Sequence, residues 1–227
     1  MGRDNQPKHG QHARKAHKEA RRAEYPRILI VTEGSKTEPR YFKEIQVAYD
    51  LHSANVQVQP SQLGTALIQV VLYARQLFEK GDLHKRIAPR VFDQVYAVFD
   101  RDDHISYHDA LKQAASLDGK LKNDNNQLIS FKAIASVPCF ELWLLLHFED
   151  IQAPIHRDKV MQRLRKPGNL PSYEKGAGGA FATTRHLLET ATQRAEALAC
   201  KFTAYDEPWP YTAVGKLVAR LTTLRCH

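Results

Sequence analysis

Asp100, Asp102 and Asp103 crowd the segment Val95–His104, which reads Val-Tyr-Ala-Val-Phe-Asp-Arg-Asp-Asp-His. Carboxylates this close repel one another and raise one another's pKa values. A bound cation or a shared proton offsets that cost, and we expect a divalent cation. Oxygen donors of this kind suit Mg2+ or Mn2+. Such an ion at Asp100 and Asp102 could hold a phosphate oxygen, activate water and stabilise a leaving oxygen. Glu33, which follows a second apolar run, is placed to be a further ligand or a general base. Glu38 lies near a helix start, where a metal ligand and a simple N-terminal charge are both reasonable. Glu141 sits inside Phe-Glu-Leu-Trp-Leu-Leu-Leu. An acid in so apolar a stretch needs a partner, so we count it as a site residue, with a buried ion pair as the alternative. Asp103 reads as a cap or a surface charge.

Histidines and basic residues supply the second half of the chemistry. His104 is a helix-start residue that could touch a substrate phosphate. With His108 it gives two nitrogens on one helix face, but no third nitrogen or thiolate ligand lies nearby, so structural zinc is not expected. Glu33-Gly34-Ser35-Lys36-Thr37 lacks the upstream glycine and the adjacent Gly-Lys pair of a Walker loop, and the chain is not a P-loop ATPase. Lys36 can still contact a phosphate. Tyr173 and Lys175, beside Gly176-Ala177-Gly178-Gly179, could stack on a base and grip a backbone; a mobile surface loop is the plainer alternative.

These residues must be positioned by strands. The run at 27–32, containing Ile28, Leu29, Ile30 and Val31, suits a buried parallel strand, and Phe92–Phe99 suits another. Val56 and Val58 mark a short strand before Pro60, and Leu128–Val137 marks a fourth. Between them the periodicity predicts helices from Thr37 as cap to Tyr49, from Ser61 (with Leu63) to Gly81, and over 107–118. A largely apolar helix follows at Cys139–Phe148. Strand and helix alternate four times, which gives an α/β fold with a mainly parallel central sheet flanked by helices. Ligands of such folds sit outside the carboxyl ends of the strands. Glu33, Asp100, Asp102 and the turn at 136–141 all fall at that edge. Residues 150–227 are less regular: a basic helix at 155–165, a Gly- and Pro-rich loop at 167–180, and amphipathic helices at 183–201 and 211–224. We expect three parts: a basic disordered arm at 1–25, an α/β core at 26–150 and a helical cover or subdomain at 151–227.

The net charge is +8, with Arg14, Lys15, Lys18, Arg21 and Arg22 concentrated in the arm. That balance favours a polyanion, and nucleic acid is the common one. Three widely spaced cysteines with no CxxC pair exclude a disulfide framework or a thiolate zinc site. No apolar run is long enough to span a bilayer and no secretory signal is visible, so we expect a cytoplasmic protein without membrane contact.

Three stretches together resemble the RloB family, whose core is similar to the Toprim fold. They are the stretch from Ile28 to Phe42, containing Thr-Glu-Gly-Ser-Lys-Thr-Glu-Pro-Arg-Tyr-Phe, then Val98-Phe-Asp-Arg-Asp-Asp-His, and Pro138-Cys-Phe-Glu-Leu-Trp-Leu-Leu-Leu-His-Phe. The likeness is clear over 27–150 and fainter at 212–224. It implies that Glu33, Asp100 and Asp102 hold magnesium, assisted by Glu38 and Glu141. It also implies a metal-dependent nuclease of RNA (tRNA among the candidates) or DNA in bacterial defence against phage, working beside an ATPase partner and open to homo-oligomer formation. The alternative is a non-catalytic nucleic-acid-binding or regulatory subunit of such a complex.

Overall fold

Ile28–Thr32 forms strand β1, buried at every position, because its alternate side chains face two separate hydrophobic layers. A computed structural model describes residues 26–64, 66–102 and 104–224. After β1 come helix α1 (Thr37–Ala48), β2 (Val56–Pro60), α2 (Leu67–Lys80), β3 (Gln94–Asp100), α3 (Tyr107–Leu117) and β4 (Ser130–Val137). The remainder comprises α4 (Glu141–Leu146), α5 (Arg157–Leu164), α6 (Ala180–Thr184), a 3-10 turn (Arg185–Leu187), α7 (Leu188–Ala199), β5 (Tyr211–Thr212) and α8 (Val214–Thr222).

The strands make one sheet in the order β2-β1-β3-β4-β5, parallel except where β5 runs against β4. Ile28 and Ile30 face a layer built from α1, α4, α5, α7 and α8; Leu29 and Val31 face α2 and α3. Each such side chain taken out of water contributes about 2 kcal/mol. On the first face Trp143 of α4 donates from Nε1 to the Tyr41 hydroxyl of α1 at 2.7 Å. Tyr41 in turn packs edge-on against Phe140 and Phe181. The C-terminal helices thus share one core with β1.

Several expected boundaries shift, each for a local reason. Helix α2 starts at Leu67, because Gly64 adopts φ +115 and breaks the periodicity that Leu63 continues. Thr37 is the first helical residue of α1 rather than its cap. Strand β4 starts at Ser130, leaving Leu128 63% exposed. The helix expected at 139–148 is regular only over Glu141–Leu146, and the one expected at 183–201 is broken by the 3-10 turn. Residues 211–212 are strand rather than helix. They pair with Ser136 and Val137, and Thr212 Oγ1 lies 3.1 Å from Ser136 Oγ. An otherwise open edge of β4 takes its backbone partner there.

Candidate metal and nucleic-acid site

β1 and β3 are neighbours, yet the chain leaves them in opposite directions. α1 leads from β1 out to β2, and α3 leads from β3 to β4. The crevice at their carboxyl ends is the switch point where such sheets bind ligands. Glu33 is fixed there by its own N–H, which donates to Val98 O at 2.9 Å. Its carboxylate accepts from the Asp100 N–H at 3.1 Å and meets His104 Nε2 at 3.1 Å. Asp100, the last residue of β3, is 9% exposed. Glu38, in the first turn of α1, is 7% exposed and folds back over Gly34. A Cβ at residue 34 would lie 2.1 Å from Glu38 Oε2, so a larger residue there would push this carboxylate aside. Glu141 opens α4 and is 1% exposed.

Burial and mutual repulsion dominate the electrostatics. The Asp100 carboxyl is held well above its ordinary range by burial first, then by Glu38 and Glu141, with Glu33 adding and the Phe140 N–H opposing. Burial pushes Glu38 up to about 7, and Glu141 and Glu33 push the same way. Glu33 is raised by burial against the stabilising Asp100 N–H and His104. Buried Cys139 is raised too, by burial and then by Glu141 and Asp100, and is an inert thiol.

Two cations and a histidine of the chain answer these acids. Besides His104 on Glu33, Lys175 Nζ lies 3.3 Å from Glu141 Oε1, and Arg157 Nη1 lies 3.1 Å from Asp102 Oδ2. The Lys175 side chain is 59% exposed while its head reaches a buried carboxylate. Although burial works against it, Glu141 holds this ammonium above its usual range. Gly176 makes the approach possible, since a Cβ there would come 2.7 Å from Lys36 Cβ. The Tyr173 hydroxyl donates to the same Glu141 oxygen at 3.1 Å.

Does this set fit a metal? Among the described residues, no three His, Cys, Asp or Glu side chains converge as ligands on one point. Each carboxylate is turned instead towards a donor of the protein. The donor chemistry nevertheless matches a hard cation. The groups are oxygen ligands, and Asp102 Oδ1 and Glu141 Oε2 are buried without any hydrogen-bond partner. A buried acceptor left unpaired costs about 1–3 kcal/mol, which a bound cation would relieve. Asp102 also stands at φ +33, a conformation uncommon for non-glycine residues and costing on the order of 1–3 kcal/mol. Its N–H donates to Pro138 O at 3.0 Å and its own carbonyl accepts from Arg101 Nη1 at 2.7 Å.

Glu33, Glu38, Asp100 and Glu141 are thus brought together, with Asp102 on the adjoining turn. Lys36 is exposed at the start of α1. Tyr173 is not the exposed stacking platform considered from sequence: it is buried, because its ring packs in the α1–α4 core and its hydroxyl serves Glu141. His104 and His108 part company, the first to Glu33 and the second to Glu207 Oε1 at 2.9 Å. Arg14, Lys15, Lys18, Arg21, Arg22 and Asp103 lie outside the described residues. Three contributors were missed: Arg157 on Asp102, the Tyr173 phenol on Glu141, and Glu207, which ion-pairs with Arg101. The basic helix was visible in the sequence; its contact with the acidic edge was not.

Fold and site together define an α/β protein with a buried carboxylate cluster at the switch point of a mostly parallel sheet. The family model described as RloB-like protein matches residues 28–221, and the chain belongs to that family. No match was found among curated proteins or among solved structures. No helix of the described residues is long and apolar enough to cross a membrane.

Proposed function

We propose that this protein is a metal-dependent nuclease that hydrolyses phosphodiester bonds of RNA or DNA. The observation carrying that reading is the burial of Asp100, Glu38 and Glu141 together at one crevice, where Glu33 accepts from the Asp100 N–H. Asp100 and Glu38 are buried there with no ion pair among the described residues, whereas Asp93 and Asp124 at the other end of the sheet are paired with Arg27. Glu33, Glu38, Asp100, Asp102 and Glu141 are the residues that would hold Mg2+ or Mn2+. Such an ion, when bound, supplies charge neutralisation for the phosphate and an acidified water. The chain itself supplies orientation. Glu33 holds the His104 ring, and Lys36 stands exposed at the start of α1. Left unneutralised, the acidic crevice would repel a phosphodiester backbone.

The resemblance to RloB and Toprim-like proteins extends the reading to phage defence beside an ATPase partner, and that extension rests on family likeness alone. A second reading, a nucleic-acid-binding subunit without catalysis, is favoured by one observation. Lys175 and Arg157 reach Glu141 and Asp102, two of the acids a metal would neutralise, as in a vestigial site closed by the chain's own cations. Incubating the protein with labelled tRNA and with single- and double-stranded DNA, under Mg2+, Mn2+ or chelator, separates the two. The nuclease reading requires metal-dependent cleavage that Asp100→Asn loses. Salt-sensitive binding with no cleavage under either metal supports the subunit reading.

A further inference from the structure

Helix α1 has a second side that the carboxylate crevice does not use. Lys36, at its N-terminal boundary, is followed by Arg40, Lys43 and Val47 at steps of four, three and four residues, so the four lie in one stripe. All four are exposed, Val47 to 83%. The stripe starts beside Gly34 and Glu38, at the acidic edge. At 1.5 Å per residue it runs about 16 Å away from that edge.

It ends in a recess of about 450 Å³ between α1 and α6. The wall is almost wholly apolar, with Val47, Phe181 and Ala182 among its residues, and Arg40, Lys43 and Arg185 stand around it. One acid, Glu44, also lines the recess. Both its oxygens are already taken, by the N–H groups of Gly179 at 2.5 Å, Phe181 at 2.9 Å and Ala182 at 3.3 Å. The side chains of Arg40, Lys43 and Arg185 have no hydrogen bond or ion pair among the described residues. Three unanswered cations around an apolar wall complement a ligand that is anionic at one end and flat and apolar at the other. A nucleotide has that chemistry, and the recess falls in the size range of small-ligand sites.

We propose that the recess is a nucleotide subsite for a single strand whose backbone follows Lys36, Arg40 and Lys43 towards the carboxylate crevice. One unpaired base enters between Val47 and Ala182, and Arg185 meets the adjoining phosphate. A base held in a duplex cannot enter, so the subsite selects single-stranded RNA or DNA. This rests on the nucleic-acid reading above, but it can fail separately.

The test is fluorescence anisotropy of a fluorescein-labelled 12-nucleotide strand and of its duplex, in chelator so that no cleavage occurs. Val47→Asp places a carboxylate in the recess at an exposed position, and Arg185→Ala removes a rim cation. Arg75→Ala removes a cation from α2, on the opposite face of the sheet, as the control for net charge. Circular dichroism establishes that each variant is folded. We expect single-strand affinity to fall about tenfold in Val47→Asp and in Arg185→Ala, but not in Arg75→Ala. The logarithmic salt slope should fall by about 0.7 in Arg185→Ala, as for one lost phosphate contact. Duplex affinity should stay unchanged, and an abasic site walked along the strand should weaken binding at one position. Unchanged single-strand affinity in both recess variants overturns the subsite while leaving the nuclease reading intact. Equal losses for strand and duplex overturn it too, because they mark diffuse charge attraction. If wild type binds neither strand nor duplex in chelator, the subsite falls, while the nuclease reading stands or falls by the metal-dependent cleavage assay.

Discussion

The two ends of the central sheet use the same charged groups in opposite ways. At the amino end, Arg27 donates to Asp93 at 3.0 Å and to Asp124 at 2.7 Å, and Asn123 completes Asp93 at 2.8 Å. The Arg27 hydrogen bond lowers the Asp124 pKa. At the carboxyl end, Asp100 and Glu38 are raised, and two carboxylate oxygens have no partner. Groups at the amino end stabilise the fold. Those at the carboxyl end are held at a cost that folding alone does not repay, and this separates a fastening from a site.

The sharpest way to break that contrast is to neutralise one acid at each end. Asp100→Asn should abolish metal-dependent cleavage, by 10³-fold or more on the scale of lost transition-state charge stabilisation, while the metal-free protein melts no lower than wild type. Asp93→Asn should do the reverse. It should lose about 2 kcal/mol of stability in denaturant unfolding and keep its cleavage rate once folded. A large stability loss in Asp100→Asn would make the carboxyl end another fastening.

The pH dependence comes next. A carboxyl raised in the folded state favours folding while protonated, so its contribution is intact below the unfolded value and is lost as pH rises through the folded one. For Glu38, raised from 4.5 to about 7, metal-free wild type should lose on the order of 3 kcal/mol relative to Glu38→Gln between those pH values. Unfolding curves at stepped pH read the gap directly. Saturating Mn2+ should close it. A constant gap would show that Glu38 ionises freely.

Lys175→Met should have a smaller effect, because the side chain as a whole is 59% exposed. Freed of that competitor, Glu141 should bind Mn2+ up to about tenfold more tightly, equivalent to about 1.4 kcal/mol, as measured by calorimetry. Weaker binding would make Lys175 a support of the site. Glu207→Gln should matter least. It loosens Arg101, which holds the strained Asp102 carbonyl, and a few-fold slower cleavage at unchanged melting temperature is the expected signature.

What the sequence revealed follows from which signals are periodic. The unbroken apolar run of β1 and the β-branched run of β3 could only be buried strands. Once they were parallel neighbours, Glu33 and Asp100 had to meet at one edge. Glu141 was legible because an acid inside so apolar a helix demands a partner. Tyr173 and Lys175 stood out only as a loop pair for nucleic acid, and nothing marked their contact with Glu141 or that of Glu207 with Arg101, since all three lie on irregular segments whose course is set by packing. β5 was lost for another reason. Two residues of strand directly before an amphipathic helix look like its first turn until the open edge of β4 is in view.

The central claim is that the carboxyl-end cluster is a divalent-cation site. Calorimetric titration of Mn2+ into the metal-free protein, in two buffers of different ionisation enthalpy, tests it most directly. The account predicts saturable binding with proton release, as the raised carboxyls Asp100 and Glu38 give up their protons, and loss of that binding in Asp100→Asn. A folded wild-type protein that takes up no Mn2+ at millimolar concentration would contradict it.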